Sequence, residues 1–367
     1  MKKFTTSRRE ILAMLGAAAL RAQDAHLMVY IGTYTHGKSK GIYLAHYAEG
    51  KLSGMELAAE TESPSFLALH PNRRFLYAVN ELNAGTVSAF AIENGGKLKF
   101  LNRVSSHGAA PCHLDVDKTG KCLCVANYSS GNVAVFPVHA DGSLGEASDL
   151  DQHHGSSVDK QRQSSPHAHE SVISKDNRFL FVPDLGLDQV LIYNLDPARG
   201  RISDRRSVKV QAGSGPRHIA FHPNGRYAYV VSEMGGLITA FHYQAANGAL
   251  ETFQTISTLP KDYQGFHGAA EIEIHPNGHF LYASNRGPDT LALFHIAAGG
   301  GLTEISQTPT QGKTPRHFAI DPAGKFLLVE NQDSDNIVSF AIDPGKGTLT
   351  PTGQITECGA PVCILYY

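Results

Sequence analysis

Short apolar and aromatic runs alternate with turn-forming residues from about residue 26 to the end of the chain. Between Pro216 and Glu233 the runs HIAFH and YAYVVSE flank the turn PNGR, and the runs LITAFHY and ETFQTIS follow. Aromatic and β-branched residues bounded by Pro, Asn and Gly are typical of strands joined by tight turns, because Pro presets φ and Gly or Asn accepts positive φ. No segment after residue 25 has a sustained helical period, so the pattern predicts an all-β protein.

This unit of four predicted strands recurs along the chain. Six copies lead from a first strand into a second strand that ends in Asn, Asp or Glu, and a seventh, shortened copy stands at the C-terminus. The copies begin at Pro64, Pro111, Pro166, Pro216, Ala269, Pro315 and Pro361. A mean spacing of about 50 residues is that of a propeller blade and not of a helical solenoid. We therefore predict a seven-bladed β-propeller with four-stranded blades.

The two ends of the chain each carry part of one blade. The C-terminal segment PVCILYY contains a single strand, whereas residues 28–52 contain strands with no Pro-led strand before them. Together they make a complete blade, which predicts a ring closed by a blade shared between the N- and C-termini and leaves no long open sheet edge. Seven separate domains are disfavoured, because about 50 residues cannot bury a core alone. We expect residues 26–367 to form one domain.

Residues 1–25 have a different character. Ser7, Arg8 and Arg9 precede a short apolar run from Ala13 to Leu20, and two lysines lie upstream. This pattern predicts a twin-arginine export signal and hence a periplasmic location, whereas a basic, frayed N-terminus in a cytoplasmic protein is the alternative. The apolar run is too short to span a bilayer, so no stable membrane anchor is expected.

Composition narrows the possible partners. The net charge of −2 favours neither nucleic acid nor an anionic membrane as a partner, and we expect a monomer or a weak homo-oligomer. The absence of Trp disfavours the propellers whose blades carry a Trp-Asp dipeptide. The five cysteines form no C-x-x-C pair and no zinc-ligand spacing, so we expect buried free thiols.

Polar residues gather where first strands begin and second strands end, two places that share one rim of a propeller. First-strand starts supply Ser65, His113, His167, His169, Arg217, His218, Glu271, Arg316 and His317. Second-strand ends supply Asn80, Glu81, Asn127, Asp184, Glu233, Asn285, Arg286, Glu330 and Asn331. We predict that these residues surround one mouth of the central channel. Strand alternation predicts that only one of Arg217 and His218, and one of Arg316 and His317, faces the channel.

Arginines at such a mouth indicate an anionic ligand. The guanidinium groups of Arg217, Arg286 and Arg316 are donor forks suited to carboxylate or phosphate. A nearby histidine or Glu233 could transfer protons while an arginine stabilises an oxyanion, which favours attack of water on an ester carbonyl. The serine-esterase motif G-x-S-x-G is absent from the sequence.

Metal binding is disfavoured. His153, His154, His167 and His169 are close in sequence, but His167 and His169 on one strand face lack the further ligands that a zinc site requires. We predict neither a metal nor a cofactor. The polar segment DQHHGSSVDKQRQSS, which includes the first two histidines, is expected to be a loop between blades that can fold over the mouth.

Several long motifs together resemble one known family. They include GTYT, PSFLALHP, VANYSSGNVAVFPV, PHAHE, GPRHIAFHPNGRYAYVVSE, LYASNRG and PRHFAIDPAGKFLLVEN. The chain resembles, from about Val29 to its end, the bacterial 6-phosphogluconolactonase family of seven-bladed propellers, to which the fungal carboxymuconate-lactonizing enzymes are similar. The resemblance implies lactone chemistry. It also implies a catalytic set of one histidine, two arginines and one glutamate.

By motif, the catalytic candidates are His169 (or His167), Arg217, Glu233 and Arg286. The candidates for substrate binding are His113, His167, Arg316, His317, Asn285 and Glu81. In the resulting hypothesis the arginines bind anionic or carbonyl oxygens, while His169 and Glu233 transfer protons. Because a phosphorylated intermediate is not expected outside the cytoplasm, a non-phosphorylated aldonolactone or a carboxylated lactone suits an exported lactonase better. A carboxymuconate-type cycloisomerase and a non-catalytic exported binding module are the alternatives.

Overall fold

The computed structural model describes residues 27–367, so the predicted export signal lies outside the described residues. The described chain forms seven antiparallel sheets of four strands each. The first three strands are β1 (Leu27–Thr33), β2 (Gly41–Ala48) and β3 (Lys51–Glu60). The second sheet holds β4 (Leu67–Leu69), β5 (Phe75–Asn80), β6 (Thr86–Ile92) and β7 (Leu98–Ser105). The third holds β8 (Pro111–Val116), β9 (Cys122–Asn127), β10 (Asn132–Pro137) and β11 (Asp149–Gln152).

The remaining blades follow the same order. The fourth holds β12 (Val172–Ile173), β13 (Phe179–Asp184), β14 (Gln189–Asp196) and β15 (Arg201–Lys209). The fifth holds β16 (Pro216–Phe221), β17 (Tyr227–Ser232), β18 (Leu237–Gln244) and β19 (Ala249–Ser257). The sixth holds β20 (Gly268–Ile274), β21 (Phe280–Arg286), β22 (Thr290–Ile296) and β23 (Leu302–Pro309). The seventh holds β24 (Pro315–Ile320), β25 (Phe326–Asn331), β26 (Asn336–Ile342) and β27 (Leu349–Glu357), after which β28 (Pro361–Tyr366) ends the chain.

Helical structure is minimal. Within residues 27–367 it is limited to two 3₁₀ segments, Asn94–Gly96 and Gln332–Ser334. Neither of these is long enough to cross a bilayer, and the described chain holds no other helix that could. The all-β prediction is confirmed.

The last strand closes the ring. Strand β28 pairs antiparallel with β1, so that Val29 lies opposite Tyr366 and Ile31 opposite Ile364. The C-terminal strand thus becomes the innermost strand of the blade that β1, β2 and β3 complete. It also contacts β24 on one side and β4 on the other. The predicted closure by both termini is confirmed, and it brings residues of distant blades around a single channel.

The hydrophobic core lies between the blades. All residues of the second strands β5, β9, β13 and β17 are buried, because each sheet is covered on both faces by its neighbours. Tyr77 of β5, Val125 of β9 and Phe136 of β10 belong to one such inter-blade cluster. Burial on both faces explains why these strands are continuous apolar runs in the sequence.

Tyrosine hydroxyls connect each of four blades to a turn of the next. They donate to glycine carbonyls in the pairs Tyr30 to Gly96 (2.6 Å), Tyr77 to Gly142 (3.0 Å), Tyr229 to Gly300 (2.8 Å) and Tyr282 to Gly347 (2.7 Å). Gly300 has a φ of +83°, and a Cβ there would lie 2.5 Å from the ring of Tyr227. The turn therefore requires glycine at position 300, and the hydroxyl of Tyr229 satisfies the buried carbonyl of that glycine.

Candidate active site

Glu233 is the centre of a group of arginines on one rim of the channel. Its Oε2 lies 2.9 Å from Nη2 of Arg286 and 3.4 Å from Nε of Arg217, and its Oε1 accepts a hydrogen bond from Nη2 of Arg162 at 2.7 Å. Glu233 is buried, with 8% of its surface exposed. Three guanidinium groups therefore share one buried carboxylate. We call Arg162, Arg217, Arg286 and Arg316 the arginine group.

The first strands of neighbouring blades hold this arrangement in place. The backbone N–H of Glu233 donates to Gly215 O, just before β16, and that of Ala269 in β20 donates to Glu233 O. Nη1 of Arg217 donates to Ala270 O at 2.6 Å, and Nε of Arg286 donates to Gly268 O at 2.9 Å. Both strand-borne guanidinium groups are thus attached to the start of β20, which fixes their positions.

Consecutive residues of β16 both face the channel, so the prediction that only one of Arg217 and His218 does so is wrong. The pairing of β16 with β17 shifts register between Pro216 and His218, as a β-bulge does. Because a bulge interrupts the two-residue alternation, both side chains line the same cavity. The prediction fails in the same way for Arg316 and His317, where β24 shifts register against β25.

His169 lies beneath the arginine group. It is 4% exposed, and its Nε2 lies 4.0 Å from Oε2 of Glu233. Its ring contacts those of Tyr128 and His218, with centroids 5.4 and 5.2 Å away. Burial, together with the positive charge of Arg217, holds the pKa of His169 well below its ordinary value. At neutral pH the imidazole is therefore uncharged and able to accept a proton.

The Glu233 carboxylate is a weak base. Burial by itself would raise its pKa, but Arg286, Arg217 and the hydrogen bond from Arg162 hold the pKa of Glu233 well below its ordinary value. Conversely, burial and the neighbouring Arg316 and Arg286 lower the pKa of Arg217 to about 10. Arg217 nevertheless remains protonated at neutral pH.

Arg316 completes the positive side of the rim. Its guanidinium lies over the ring of Tyr34, 5.4 Å from the centroid, and within residues 27–367 it makes no hydrogen bond or ion pair. Nearby, Glu81 accepts hydrogen bonds from Tyr34 Oη at 2.8 Å and from Ser65 Oγ at 2.5 Å. The rim thus carries four guanidinium groups against the carboxylates of Glu233 and Glu81.

A second polar group lies deeper in the channel and alternates histidines with glutamates. This histidine–glutamate group consists of His113, Glu170, His218, Glu271, His317 and Glu330. Nδ1 of His218 lies 3.1 Å from both carboxylate oxygens of Glu271, and Nδ1 of His317 lies 2.7 Å from Oε2 of Glu330. Burial opposes protonation of His317, yet Glu271 and Glu330 raise its pKa to about 9. Burial lowers the pKa of His218 to about 4 against the effect of Glu271.

A small cavity with an accessible volume of about 10 Å³ lies between the two groups. Arg217 and Arg316 line it from the arginine group, and His218 and His317 line it from the histidine–glutamate group. Nε of Arg217 and Nε2 of His218 are buried there without a hydrogen bond among the described residues. Buried donors and acceptors without a hydrogen bond are costly, so they mark the cavity as a place for one polar atom, such as a water oxygen or an oxygen of a ligand.

The structure brings most of the predicted site residues together. His169, Arg217, Glu233 and Arg286 meet as described, and Arg316 and Glu81 lie on the same rim. His113 and His317 lie in the deeper group, where His113 Nε2 is 3.6 Å from Glu170 and the tilted rings of His113 and Phe66 have centroids 4.0 Å apart. His167 lies at the edge of the site, since its Nδ1 is 2.9 Å from Tyr128 O and its ring stacks on Tyr128 at 4.6 Å.

Asn285 does not join the site, contrary to its prediction as a substrate-binding residue. Its Nδ2 donates to Thr258 O at 2.6 Å, and its Oδ1 accepts from Thr258 Oγ1 at 2.7 Å. The side chain is fully buried and attaches the segment after β19 to β21. Asn285 does lie at the rim end of a second strand, as predicted. Its side chain, however, points to Thr258 and not to the channel.

Arg162 is a member of the arginine group that the sequence analysis did not name. It lies in the polar segment between β11 and β12, whose histidines the sequence analysis considered as metal ligands. Of those, His153 is a structural residue, with Nδ1 2.6 Å from Asp184 and Nε2 2.9 Å from Tyr193 Oη. Within residues 27–367 the structure has no cluster of three or more His, Cys, Asp or Glu placed to hold a metal ion. Because this segment was expected to fold over the mouth, its one arginine, Arg162, could have been predicted to reach the site.

The family that fits this architecture can now be named. The sequence model described as "Lactonase, 7-bladed beta-propeller" matches residues 28–366. The chain belongs to this lactonase family. The resemblance to bacterial 6-phosphogluconolactonases is thereby confirmed, and relatives bear it out over nearly the whole chain.

Three relatives match nearly the full length of this chain. It is 35% identical to the 6-phosphogluconolactonase of Bacillus subtilis over 342 residues, which is 92% of this chain and 97% of the relative. It is 38% identical to the 6-phosphogluconolactonase of Formosa agariphila over 339 residues, which is 89% of this chain and 95% of the relative. The solved structure of the Pseudomonas aeruginosa periplasmic gluconolactonase superposes with a TM-score of 0.89 at 35% identity, covering 93% of this chain and 99% of that one.

Proposed function

We propose that this protein hydrolyses the ring ester of a sugar-acid lactone. The observation that carries the proposal is the uncharged, buried imidazole of His169 beside the arginine group. A neutral histidine next to several guanidinium groups supports water attack on an ester carbonyl, since the histidine can accept a proton and a guanidinium can stabilise the oxyanion. The names of the lactonase relatives support the same reaction class.

In the proposed mechanism His169 is the general base. It accepts a proton from water as the water oxygen bonds to the carbonyl carbon, and the carbonyl oxygen becomes an oxyanion. Arg217 and Arg286 donate hydrogen bonds to that oxyanion, and the Nε of Arg217, 3.4 Å from Oε2 of Glu233, makes no hydrogen bond in the present arrangement. The bond between the carbonyl carbon and the ring oxygen then breaks. The ring oxygen takes the proton from the imidazolium, which yields the open-chain hydroxy acid.

Glu233 has a different role in this proposal from the one that the sequence suggested. Both carboxylate oxygens of Glu233 are already engaged by guanidinium groups, from Arg162 at 2.7 Å, Arg286 at 2.9 Å and Arg217 at 3.4 Å, so they are poorly placed to accept a proton from water. We assign it the positioning of Arg217 and Arg286 instead. Proton transfer then falls to His169 alone.

We further propose that the protein acts outside the cytoplasm. The twin-arginine pattern in residues 1–25 is one reason, and the name of the periplasmic gluconolactonase relative is the other. A non-phosphorylated aldonolactone or a carboxylated lactone is the substrate class that this location favours.

The proposal is tested by acid release from glucono-1,5-lactone at constant pH, corrected for spontaneous hydrolysis. The wild-type protein should accelerate release, and His169→Gln should lower kcat at least about a hundredfold. His295→Gln is the matched control, because His295 is exposed on β22 away from the channel. Equal rates for the wild type and His169→Gln would remove His169 from the mechanism, and no acceleration on any of a panel of sugar-acid lactones would overturn the proposed function.

A further inference from the structure

Arg162 differs from the other arginines of the rim in its exposure and its origin. Its side chain is 45% exposed, whereas those of Arg217 and Arg286 are 3% and 14% exposed. It reaches the rim from the segment between β11 and β12, not from a strand that lines the channel. Besides Glu233, its Nη2 contacts Tyr128 Oη at 3.0 Å. It is therefore the arginine that a ligand arriving from solvent would meet first.

The backbone beneath Arg162 is firmly held. Gln163 is fully buried, and its Nε2 donates to Leu185 O at 2.9 Å. The backbone N–H of Arg162 donates to Asp159 Oδ1 at 2.9 Å, and that of Gln163 donates to Asp159 O at 2.9 Å. Ser157 Oγ donates to Asp188 Oδ2. With its backbone fixed in this way, Arg162 can change partner by side-chain rotation alone.

In its present position Arg162 covers Tyr128 and Glu233. These two residues, which it contacts, lie against the buried His169. The cavity that Arg217 and Arg316 line has an accessible volume of only about 10 Å³. That volume is far below the roughly 300–1,000 Å³ of small-molecule pockets, so a lactone needs side chains of the site to move. Moving the Arg162 side chain would uncover Tyr128 and Glu233 on the solvent side of the site.

The charges favour such a move when the ligand is anionic. If Arg162 leaves, Glu233 keeps its contacts with Arg286 and Arg217 and is not left as an unpaired buried charge. The guanidinium of Arg162 would lose its carboxylate and require another. A carboxylate or phosphate on the ligand provides that partner in the same fork geometry, whereas a neutral ligand does not.

We propose that Arg162 is a specificity-determining residue that transfers its guanidinium from Glu233 to a carboxylate or phosphate substituent of the lactone. This inference deepens the proposed function and rests on it for its kinetic test. It predicts a lactonase that prefers anionic lactones over neutral ones of the same ring size. It also predicts that Arg162 carries this preference.

The kinetic test compares three lactones, namely neutral glucono-1,5-lactone, its 6-phosphate and a glucarolactone that bears a carboxylate. Wild type, Arg162→Gln and the charge-retaining Arg162→Lys are assayed with each. The matched control is Arg205→Gln, because Arg205 is 43% exposed and pairs with Asp151 at 2.8 Å on the outside of a blade. Melting temperatures of all variants check that the fold is intact.

Arg162→Gln should lower kcat/KM for the anionic lactones about 10- to 100-fold, chiefly through KM, and by clearly less for the neutral lactone. Arg162→Lys should retain part of the preference, and Arg205→Gln should retain all of it. A loss with only one of the two anionic lactones would still support the proposal and would identify the substituent. An equal loss with all three lactones, or no change in the preference, would overturn it.

A binding experiment separates this inference from the proposed function. Calorimetric titration with gluconate 6-phosphate, with glucarate and with gluconate applies even if no lactone is hydrolysed. For either of the first two ligands, a Kd ratio to gluconate that favours the additional anionic group in the wild type and falls about tenfold or more in Arg162→Gln supports the role of Arg162. Ratios that are equal in the two proteins for both ligands overturn it, whatever the outcome of the activity assays.

Discussion

The Nε2 of His169 lies 4.0 Å from the Oε2 of Glu233, and both side chains are buried on the same rim of the channel. Both pKa values are lowered, so each group is held in its unprotonated form. Burial and Arg217 oppose protonation of His169, which leaves a neutral imidazole. The arginines outweigh burial at Glu233 and keep it a charged carboxylate. The proposed mechanism assigns these two neighbouring groups separate tasks, and the predictions below distinguish them.

The activity should persist into mildly acidic solution. Because the pKa of His169 is lowered, the imidazole stays unprotonated as pH falls below the ordinary histidine value of about 6.5. The acidic limb of kcat/KM, which reports the free enzyme, should therefore lie below that pH. The measurement is kcat/KM against pH for the wild type, corrected for spontaneous hydrolysis. An acidic limb centred at or above about 6.5 would contradict the assignment of the base to His169.

Replacement of Glu233 by Gln should destabilise the protein as well as slow it. Removing the carboxylate leaves Arg217 and Arg286 without their shared counter-ion in a buried site, which typically costs about 3–5 kcal/mol. Denaturant unfolding of Glu233→Gln measures this loss. Glu146→Gln is the control, since the Glu146 side chain is 84% exposed and its contact with His107 at 4.0 Å is long. A loss no larger than that of the control would show that the arginines do not depend on Glu233.

His317 should stabilise the fold in a pH-dependent manner. Because Glu271 and Glu330 raise its pKa to about 9, the folded state binds a proton more tightly than the unfolded chain does. The stabilisation is fully present below about pH 6.5, the ordinary value, and is lost as pH rises through about 9. The test is the difference in unfolding free energy between the wild type and His317→Gln, followed from about pH 6 to 10. A difference that grows with pH would have the wrong sign.

Each tyrosine contact between blades should contribute a small, separate amount of stability. Tyr282→Phe removes the hydroxyl that donates to Gly347 O at 2.7 Å and leaves that carbonyl unsatisfied, which should cost about 1–3 kcal/mol. Tyr263→Phe is the control, because Tyr263 Oη donates only to the exposed Phe266 O. Urea unfolding of both variants compares the two losses. Equal losses of unfolding free energy would show that the buried inter-blade hydrogen bond stabilises the fold no more than the exposed one does.

Export should depend on the paired arginines of the N-terminal segment. Replacing Arg8 and Arg9 by Lys retains the charge but removes the twin-arginine pattern, so the full-length chain should accumulate in the cytoplasm. Fractionation of cells that express both versions measures this. Equal amounts of both versions outside the cytoplasm would show that the pattern is not a signal.

Several features of the site could be predicted from the sequence. Turn residues and strand alternation act locally, so the blade repeats located most first and second strands closely, although β4 begins three residues after Pro64 and β12 six residues after Pro166. The innermost strand β16 begins at the predicted Pro216, and β28 at the predicted Pro361. The polar rim followed from the same pattern, because it needs only the chain direction of adjacent strands. Strand direction alone therefore predicts that Arg217, Glu233 and Arg286 lie on one rim.

The sequence alone determined the seven blades, the closure of the ring by its two ends and the rim on which the polar residues gather. Only the tertiary structure decided that Arg162 and Glu233, 71 positions apart, share a hydrogen bond, that a bulge turns both Arg217 and His218 toward the channel, and that Asn285 turns away. The physical reason is the range of the interactions. Turn preference and side-chain alternation depend on neighbours in the chain, whereas loop paths, bulges and ion pairs across the channel depend on blades that meet only after the ring has closed.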